Sequence, residues 1–462
     1  MFNTAIKRFL KNFAANVFGQ VMNGIYQILL VPLFLLFWNK QSYGEWLVLF
    51  SIPSLLWSLE GGLAGVAANR ATVAAGAGHW ELANSIFQNV LIIQAIVSGV
   101  LIAAAIAIAS TLNVTSYLGI TELSRSATSS IIVFLIGYML AGFCLSLFRA
   151  AYRASGLEAR GLMAHNLWRM VEFGVVALVL VCRGNAVLVA KCILLCVIIS
   201  ALLVYIDVRR TCRRIEFGVT RLSWPQMKSI LIDGLPLLSG QAAAAFSLQG
   251  YPLIISRALG ASSVVTFVTI RTVSRIILLF IQVISLSSAP EVSRSYGRKD
   301  WEVYMRFLKI MLGTAICGGV ITLCMLTAGG PWIIAMWTAG KVIVSHVPMF
   351  LFGLSVALQG IWLVGGIVLV CSNMHHVFNY LYLLVTIGGL FLANEIAPIW
   401  GFTAVPATMV MQDALLIAIA LVLCESKLGH IRIRNVSCLF TFRFYRRHME
   451  TAWRKFTFVR SK

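Results

Sequence analysis

The sequence predicts an all-α integral membrane protein with about twelve transmembrane helices. Three observations carry that prediction. Of its 462 residues, 60% are hydrophobic and only 11% charged, where a soluble domain carries about 25% charged residues. The apolar residues fall in runs of about 20, the length that crosses the hydrocarbon core. The basic residues fall in short segments between those runs, mostly on one side.

The first six helices are expected near 13–37, 43–67, 84–109, 127–149, 162–182 and 186–206. The second six are expected near 230–257, 264–288, 305–327, 346–370, 377–397 and 404–424. Lys7, Arg8 and Lys11 precede a long first run with no small-residue cleavage site, which reads as a retained helix. With the N-terminus inside, the inner segments hold 28 of the 37 lysines and arginines. The outer segments hold Lys40, Arg125, Arg183, Lys191, Arg257 and Lys341. Both termini are therefore expected on the cytoplasmic side, which requires an even number of helices.

The net charge of +21 would suggest nucleic acid in a soluble protein. Its distribution makes it topological here, so membrane lipids and no nucleic acid are expected as partners. The ten cysteines lie mostly within apolar runs and form no CxxC pair, so no disulfide framework or metal site is expected.

The stretch Asp207-Val-Arg-Arg-Thr-Cys-Arg-Arg divides the chain. An N-terminal half spans 1–210, a basic linker 211–229, a C-terminal half 230–425 and a basic-aromatic tail 426–462. A repeat crosses that boundary at a spacing of 221 residues. Gly19-Gln20 matches Gly240-Gln241, Gly76 matches Gly297, and Trp80-Glu81 matches Trp301-Glu302. Pro32 and Pro252 match at 220. Six helices per half gives both copies the same orientation, related by a pseudo-two-fold along the membrane normal. The tail phrase Phe442-Arg443-Phe444-Tyr445-Arg446-Arg447 suits an interfacial segment on an anionic inner leaflet.

Polar groups within a span are costly, so they face a cavity or one another. The first predicted helix carries Asn16, Gln20, Asn23 and Gln27 on one face, either as a wet cavity wall or as interhelical glue. Its repeat partner offers Ser239, Gln241 and Gln249. The fifth carries His165, Arg169 and Glu172 on one face, where Arg169 can pair with Glu172 or meet an anion. The eighth carries Arg271 and Arg275 one turn apart, with Gln282 further along and no acidic residue beside them. Glu60, Glu172 and Asp413 are candidates for ion coupling, because a desolvated carboxylate can carry a proton. Pairing with an arginine is the structural alternative for Glu60 and Asp413. Pro32, Pro53, Pro236 and Pro252 each free a backbone carbonyl and permit a bend. No Walker motif and no HExxH is present, and the His375-His376 pair reads as a solvated loop pair.

Together these features resemble the multidrug/oligosaccharidyl-lipid/polysaccharide superfamily of flippases. The segment from Glu60-Gly61-Gly62-Leu63 through Ala68-Asn69-Arg70 to Gly78-His79-Trp80-Glu81-Leu82-Ala83 is similar to that family's loop between helices 2 and 3. The stretch Pro331-Trp332-Ile333-Ile334-Ala335-Met336-Trp337-Thr338 resembles the segment before helix 10 of polysaccharide-transport members. The O-antigen and exopolysaccharide branch looks closest, because its cavities are cationic.

The resemblance implies two six-helix bundles in a V with a central cavity. It implies no enzyme and no cofactor, with H+ or Na+ as the coupling ion. The implied activity is alternating-access transfer of an undecaprenyl-diphosphate-linked oligosaccharide across the bacterial inner membrane. Arg169, Arg271 and Arg275 would meet the diphosphate. Asn16, Gln20, Asn23, Gln27, Gln241, Gln249 and Gln282 would form the polar wall. A polysaccharide polymerase and chain-length machinery are implied partners. The alternatives are an exporter of small molecules or drugs on the same fold, and a membrane polymerase.

Overall fold

The structure is a computed structural model. It describes residues 2–111, 114–372 and 374–428, without the side chains of 2–13, 16–17, 20, 56–69, 76, 104–106, 108–111, 233, 283, 286–287, 289–291, 293–294, 297–298 and 427–428. Among the described residues every regular element is helical. In the first part of the chain these are α1 (Phe2–Phe37), α2 (Lys40–Gly76), α3 (Trp80–Thr111), the short α4 (Val114–Tyr117), α5 (Arg125–Ala154), α6 (Glu158–Val181) and α7 (Ala186–Thr211). Then follow α8 (Trp224–Leu259), α9 (Ala261–Arg298), α10 (Trp301–Trp337), α11 (His346–Cys371), α12 (His376–Trp400) and α13 (Ala404–Leu428).

Side-chain caps fix where several helices begin. Asn39 accepts from the Ser42 N–H at 2.7 Å to start α2, and Asn185 accepts from Leu188 at 2.9 Å to start α7. Asp300 accepts from Val303 at 3.2 Å to start α10. The repeat read in the sequence reappears at these starts: α3 opens at Trp80 and α10 at Trp301.

Among the described residues, eight stretches are long and apolar enough to cross a membrane by themselves, the last of them, His376–Ser426, taking in both α12 and α13. From α1 those residues include a shorter apolar piece, Val21–Phe37. Helix α8 passes only as two pieces, Trp224–Ile232 and Gly234–Leu259, inclined at 48°. Pro236 explains the break, because it has no N–H for the carbonyl one turn earlier.

The contacts among the earlier long helices recur among the later ones. Helix α1 packs on α6 as α8 packs on α12, and α2 on α5 as α9 on α11. Likewise α5 packs on α7 as α11 on α13. Helix α2 joins the two sets by lying against α8 and α9. The approach is close: a Cβ on Gly44 would stand 2.1 Å from the Ala261 carbonyl oxygen, so only glycine fits there.

The α1–α2 turn at Trp38–Asn39 marks the distal end of the bundle and the α2–α3 turn at Ala77–His79 the proximal end. At the distal end Ser256 donates to the Leu118 carbonyl at 2.6 Å. At the proximal end the linker lies on α3. Asn84, Gln88 and Asn89, all buried, accept backbone N–H groups of Glu216, Arg221 and Ser223 at 3.1, 2.6 and 2.9 Å.

Candidate functional site

A cavity of about 580 Å³ lies among α1, α2, α5 and α6, with Gln249 of α8 closing one side. Among the described residues its walls carry Arg149, His165 and Arg169, with Asn23, Asn166 and Gln249, and no Asp or Glu. Tyr26, Phe50, Tyr138, Trp168 and Phe173 supply aromatic surface.

Helix α6 builds the basic wall. Its His165, Arg169 and Glu172 fall on one face, as their spacing of 4 and 3 requires. Burial then separates them. The Arg169 side chain is 30% exposed and lines the cavity, while Glu172 is 2% exposed and stands behind it. The two approach to 3.5 Å. Tyr138 of α5 donates to the Glu172 carboxylate at 3.1 Å, and the Tyr26 ring lies 4.5 Å beneath the Arg169 guanidinium. A buried carboxylate without such partners would be costly. The pair therefore holds one face of the guanidinium fixed and leaves its remaining donors to the cavity.

The later helices place the other predicted residues differently. Arg271 donates to the Leu248 carbonyl of α8 and lies 5.2 Å from the Phe267 ring centre. Leu248 stands one turn before Pro252, so this is the carbonyl that the proline leaves without a helical donor. Arg275, half-buried one turn on, makes no hydrogen bond or ion pair with any described residue.

Asp413 is buried and accepts from Ser355 at 2.5 Å and from the Trp362 indole at 2.8 Å. These are neutral donors, where the sequence had offered an arginine as partner. Beside it Gln412 accepts from Tyr251 at 3.1 Å. Gln282 is half-buried on α9, and Gln241 is exposed. Of the α1 stripe, Asn23 lines the cavity and Gln27 is exposed beyond it. The side chains of Asn16, Gln20 and Glu60 lie outside the described residues.

The sequence reading did not single out Tyr26, Tyr138 or Arg149. Tyr26 follows Asn23 by three residues, so the polar stripe pointed to it. Arg149 closes the fourth predicted helix, 127–149, where a basic residue reads as an inner-side charge. It lines the cavity and stands 3.9 Å from Glu158. Tyr138 carries no local signal, because its partner is 34 residues away on another helix.

No family model matches the chain, and no curated protein matches it. Solved structures do. The inward-facing conformation of a multidrug resistance MATE family transporter of the MOP superfamily aligns with a TM-score of 0.71 at 13% identity, covering 89% of this chain and 94% of that one. The outward-facing conformation of such a transporter aligns with a TM-score of 0.63 at 13% identity, covering 92% and 96%. A MOP superfamily transporter from Pyrococcus furiosus, described as having a binding pocket of reverse polarity, aligns with a TM-score of 0.61 at 13% identity, covering 91% and 94%. This chain has the fold of the MATE family transporters of the MOP superfamily.

Proposed function

We propose that this chain is a membrane transporter that carries an anionic substrate by alternating access, with the α1–α2–α5–α6 cavity as its binding site. One observation carries the charge of the substrate: among the described residues the cavity wall presents Arg149, His165 and Arg169 and no carboxylate. An anion drawn from water toward the middle of a membrane loses its hydration, and fixed guanidinium donors offset that loss. The amides and aromatic rings suit the polar edges and apolar faces of sugars.

The finer reading is a flippase for an undecaprenyl-diphosphate-linked oligosaccharide in a bacterial inner membrane, with both termini cytoplasmic. Arg169, in the cavity wall, would meet the diphosphate, with Arg275 of α9, outside that wall, as a second contact. Asp413, held only by neutral donors, would be the site of a coupling H+ or Na+. A polymerase acting on the same saccharide would be its partner.

A second reading is a small-molecule exporter, and the likeness to MATE transporters favours it. The basic cavity favours an anionic substrate in this reading too. The similar structure from Pyrococcus furiosus, described as having a binding pocket of reverse polarity, is consistent with a pocket whose character varies on this fold.

The test is binding to the purified protein, followed by the part of the tryptophan fluorescence that Trp168→Phe removes. Undecaprenyl diphosphate, inorganic diphosphate and tetraphenylphosphonium are compared. Binding of the lipid diphosphate alone supports the flippase, and binding of both diphosphates supports an exporter of small anions. Binding of the cation alone overturns the anionic reading.

A further inference from the structure

At the distal end of the bundle two bonds reach from α10 and the turn after it to α1. The Trp337 indole donates to the Ile28 carbonyl at 3.1 Å. Lys341, in the turn after α10, donates through Nζ to the Leu35 carbonyl. Neither carbonyl has a helical donor. Ile28 stands four residues before Pro32, which lacks an N–H. Leu35 stands in the last turn of α1, which ends at Phe37. An unsatisfied carbonyl within a membrane is costly, so each of these is a ready acceptor for a donor from another helix.

Among the described residues, α1 and α10 are not one of the helix pairs that pack extensively. Beside the two bonds lies a gap of about 380 Å³, lined by Pro32, Leu33, Leu36, Phe173 and Trp337. Phe173 also lines the basic cavity, with its ring edge-on to Tyr26 at 5.5 Å. One aromatic ring therefore borders both the cavity on one side and the gap beneath the α10–α1 bonds on the other.

We propose that Trp337 and Lys341 are the distal gate of the transport path, releasing α1 when the path opens on that side. The proposal rests on the alternating-access part of the functional reading and not on the identity of the substrate. Release exposes the Ile28 and Leu35 carbonyls, and water entering the joined cavity and gap takes over as their donor. Closure returns both to protein donors and expels that water. Phe173 is the last ring to turn aside between the two spaces.

The test measures distances across the distal end in the full-length protein. Spin labels enter as genetically encoded residues at Leu36 and Ile343, which are 70% and 83% exposed, leaving the native cysteines in place. Trp337→Phe keeps the ring and removes only the donor, and Lys341→Met removes the ammonium. Loss of one such bond is expected to raise the ratio of open to closed forms about fivefold. The double variant raises it further. Trp332→Phe, at a ring that is 68% exposed, is expected to leave the distances as they are.

Unchanged distances in the folded double variant overturn the gate. So does an equal shift in Trp332→Phe. No substrate enters this measurement, so a failure of the anionic reading leaves its outcome intact.

Discussion

Asn166 of α6 donates its amide N–H to the carbonyl of Ala15 on α1, 3.0 Å away. The same bond is made by Asn379 of α12 to Pro236 of α8, at 2.9 Å. Ala15 and Pro236 are 221 residues apart, the spacing that also relates Gly19 to Gly240. Each of those glycines faces the corresponding asparagine. The earlier and the later helices thus carry the same joint, a glycine beside an amide that bonds one turn earlier on the neighbouring helix.

The first prediction follows from that joint. A Cβ on Gly19 would stand 2.6 Å from Asn166 Oδ1, so the amide must move and its bond to Ala15 is lost. Gly19→Ala is expected to cost about 1 kcal/mol, the worth of such a bond. Gly24→Ala, where a Cβ meets nothing within 4 Å, is expected to be neutral or slightly stabilising. Thermal unfolding in detergent measures both. Equal midpoints for the two variants would refute the joint.

How much of this was legible in the sequence depends on the direction of each contact. Contacts that follow one helix were readable: Arg169 and Glu172 share a face because they are three residues apart. The glycines of the joint were also readable, because α1 and α8 repeat in register. Their asparagines were not. Asn166 and Asn379 are 213 residues apart, and that change of register hid them from a repeat sought at 221. Arg271 shows the same limit. Both it and Pro252 were singled out, but only the crossing of α8 and α9 reveals that one satisfies the carbonyl freed by the other.

That crossing separates two arginines which the sequence treats alike. Arg271 serves the α8 backbone, whereas Arg275 makes no bond with a described residue. Arg271→Met is expected to lower stability by about 1.5–3 kcal/mol, the range for a bond from a charged donor. Arg275→Gln is expected to leave the unfolding midpoint in place and to weaken anion binding. Unfolding and diphosphate binding, measured on the same preparations, separate the two roles. A midpoint loss in Arg275→Gln matching that of Arg271→Met would place both in the scaffold.

Glu45 is a residue with a strong structural role that the sequence reading passed over. It is fully buried in α2, and its carboxylate accepts the backbone N–H groups of Thr121, Glu122 and Leu123 at 2.7, 2.8 and 3.0 Å. Those three donors stand in the segment that leads into α5. Glu45→Gln places an amide N–H where an acceptor is needed, setting donor against donor. The expected cost is about 2–3 kcal/mol, because bonds to a charged acceptor are the strong ones. The yield of monodisperse protein and its unfolding midpoint should both fall. Wild-type values would mean that the segment is held by other contacts.

The linker gives the last prediction. Asn84, Gln88 and Asn89 bind its backbone, and Asn89 also donates to Gln226 at 2.7 Å in the first turn of α8. Arg70 of α2 donates to Ser229 at 3.2 Å, still before the bend at Pro236. These bonds tie the start of α8 to α2 and α3. From the bend on, α8 takes a bond from Asn379 of α12 at Pro236 and bonds back to the first set at its far end, through Ser256. On the alternating-access proposal a pivot is expected at the bend in α8, with the linker moving with α3. Replacing Asn84, Gln88 and Asn89 together by Ala removes the side-chain acceptors, and trypsin is then expected to cut at Arg213, Arg214 or Arg221 several times faster. Each such bond contributes about 1 kcal/mol, so losing several opens the segment far more often. An unchanged cleavage rate would show that the linker is held by something other than the α3 amides, and the pivot would have to be sought within the linker itself.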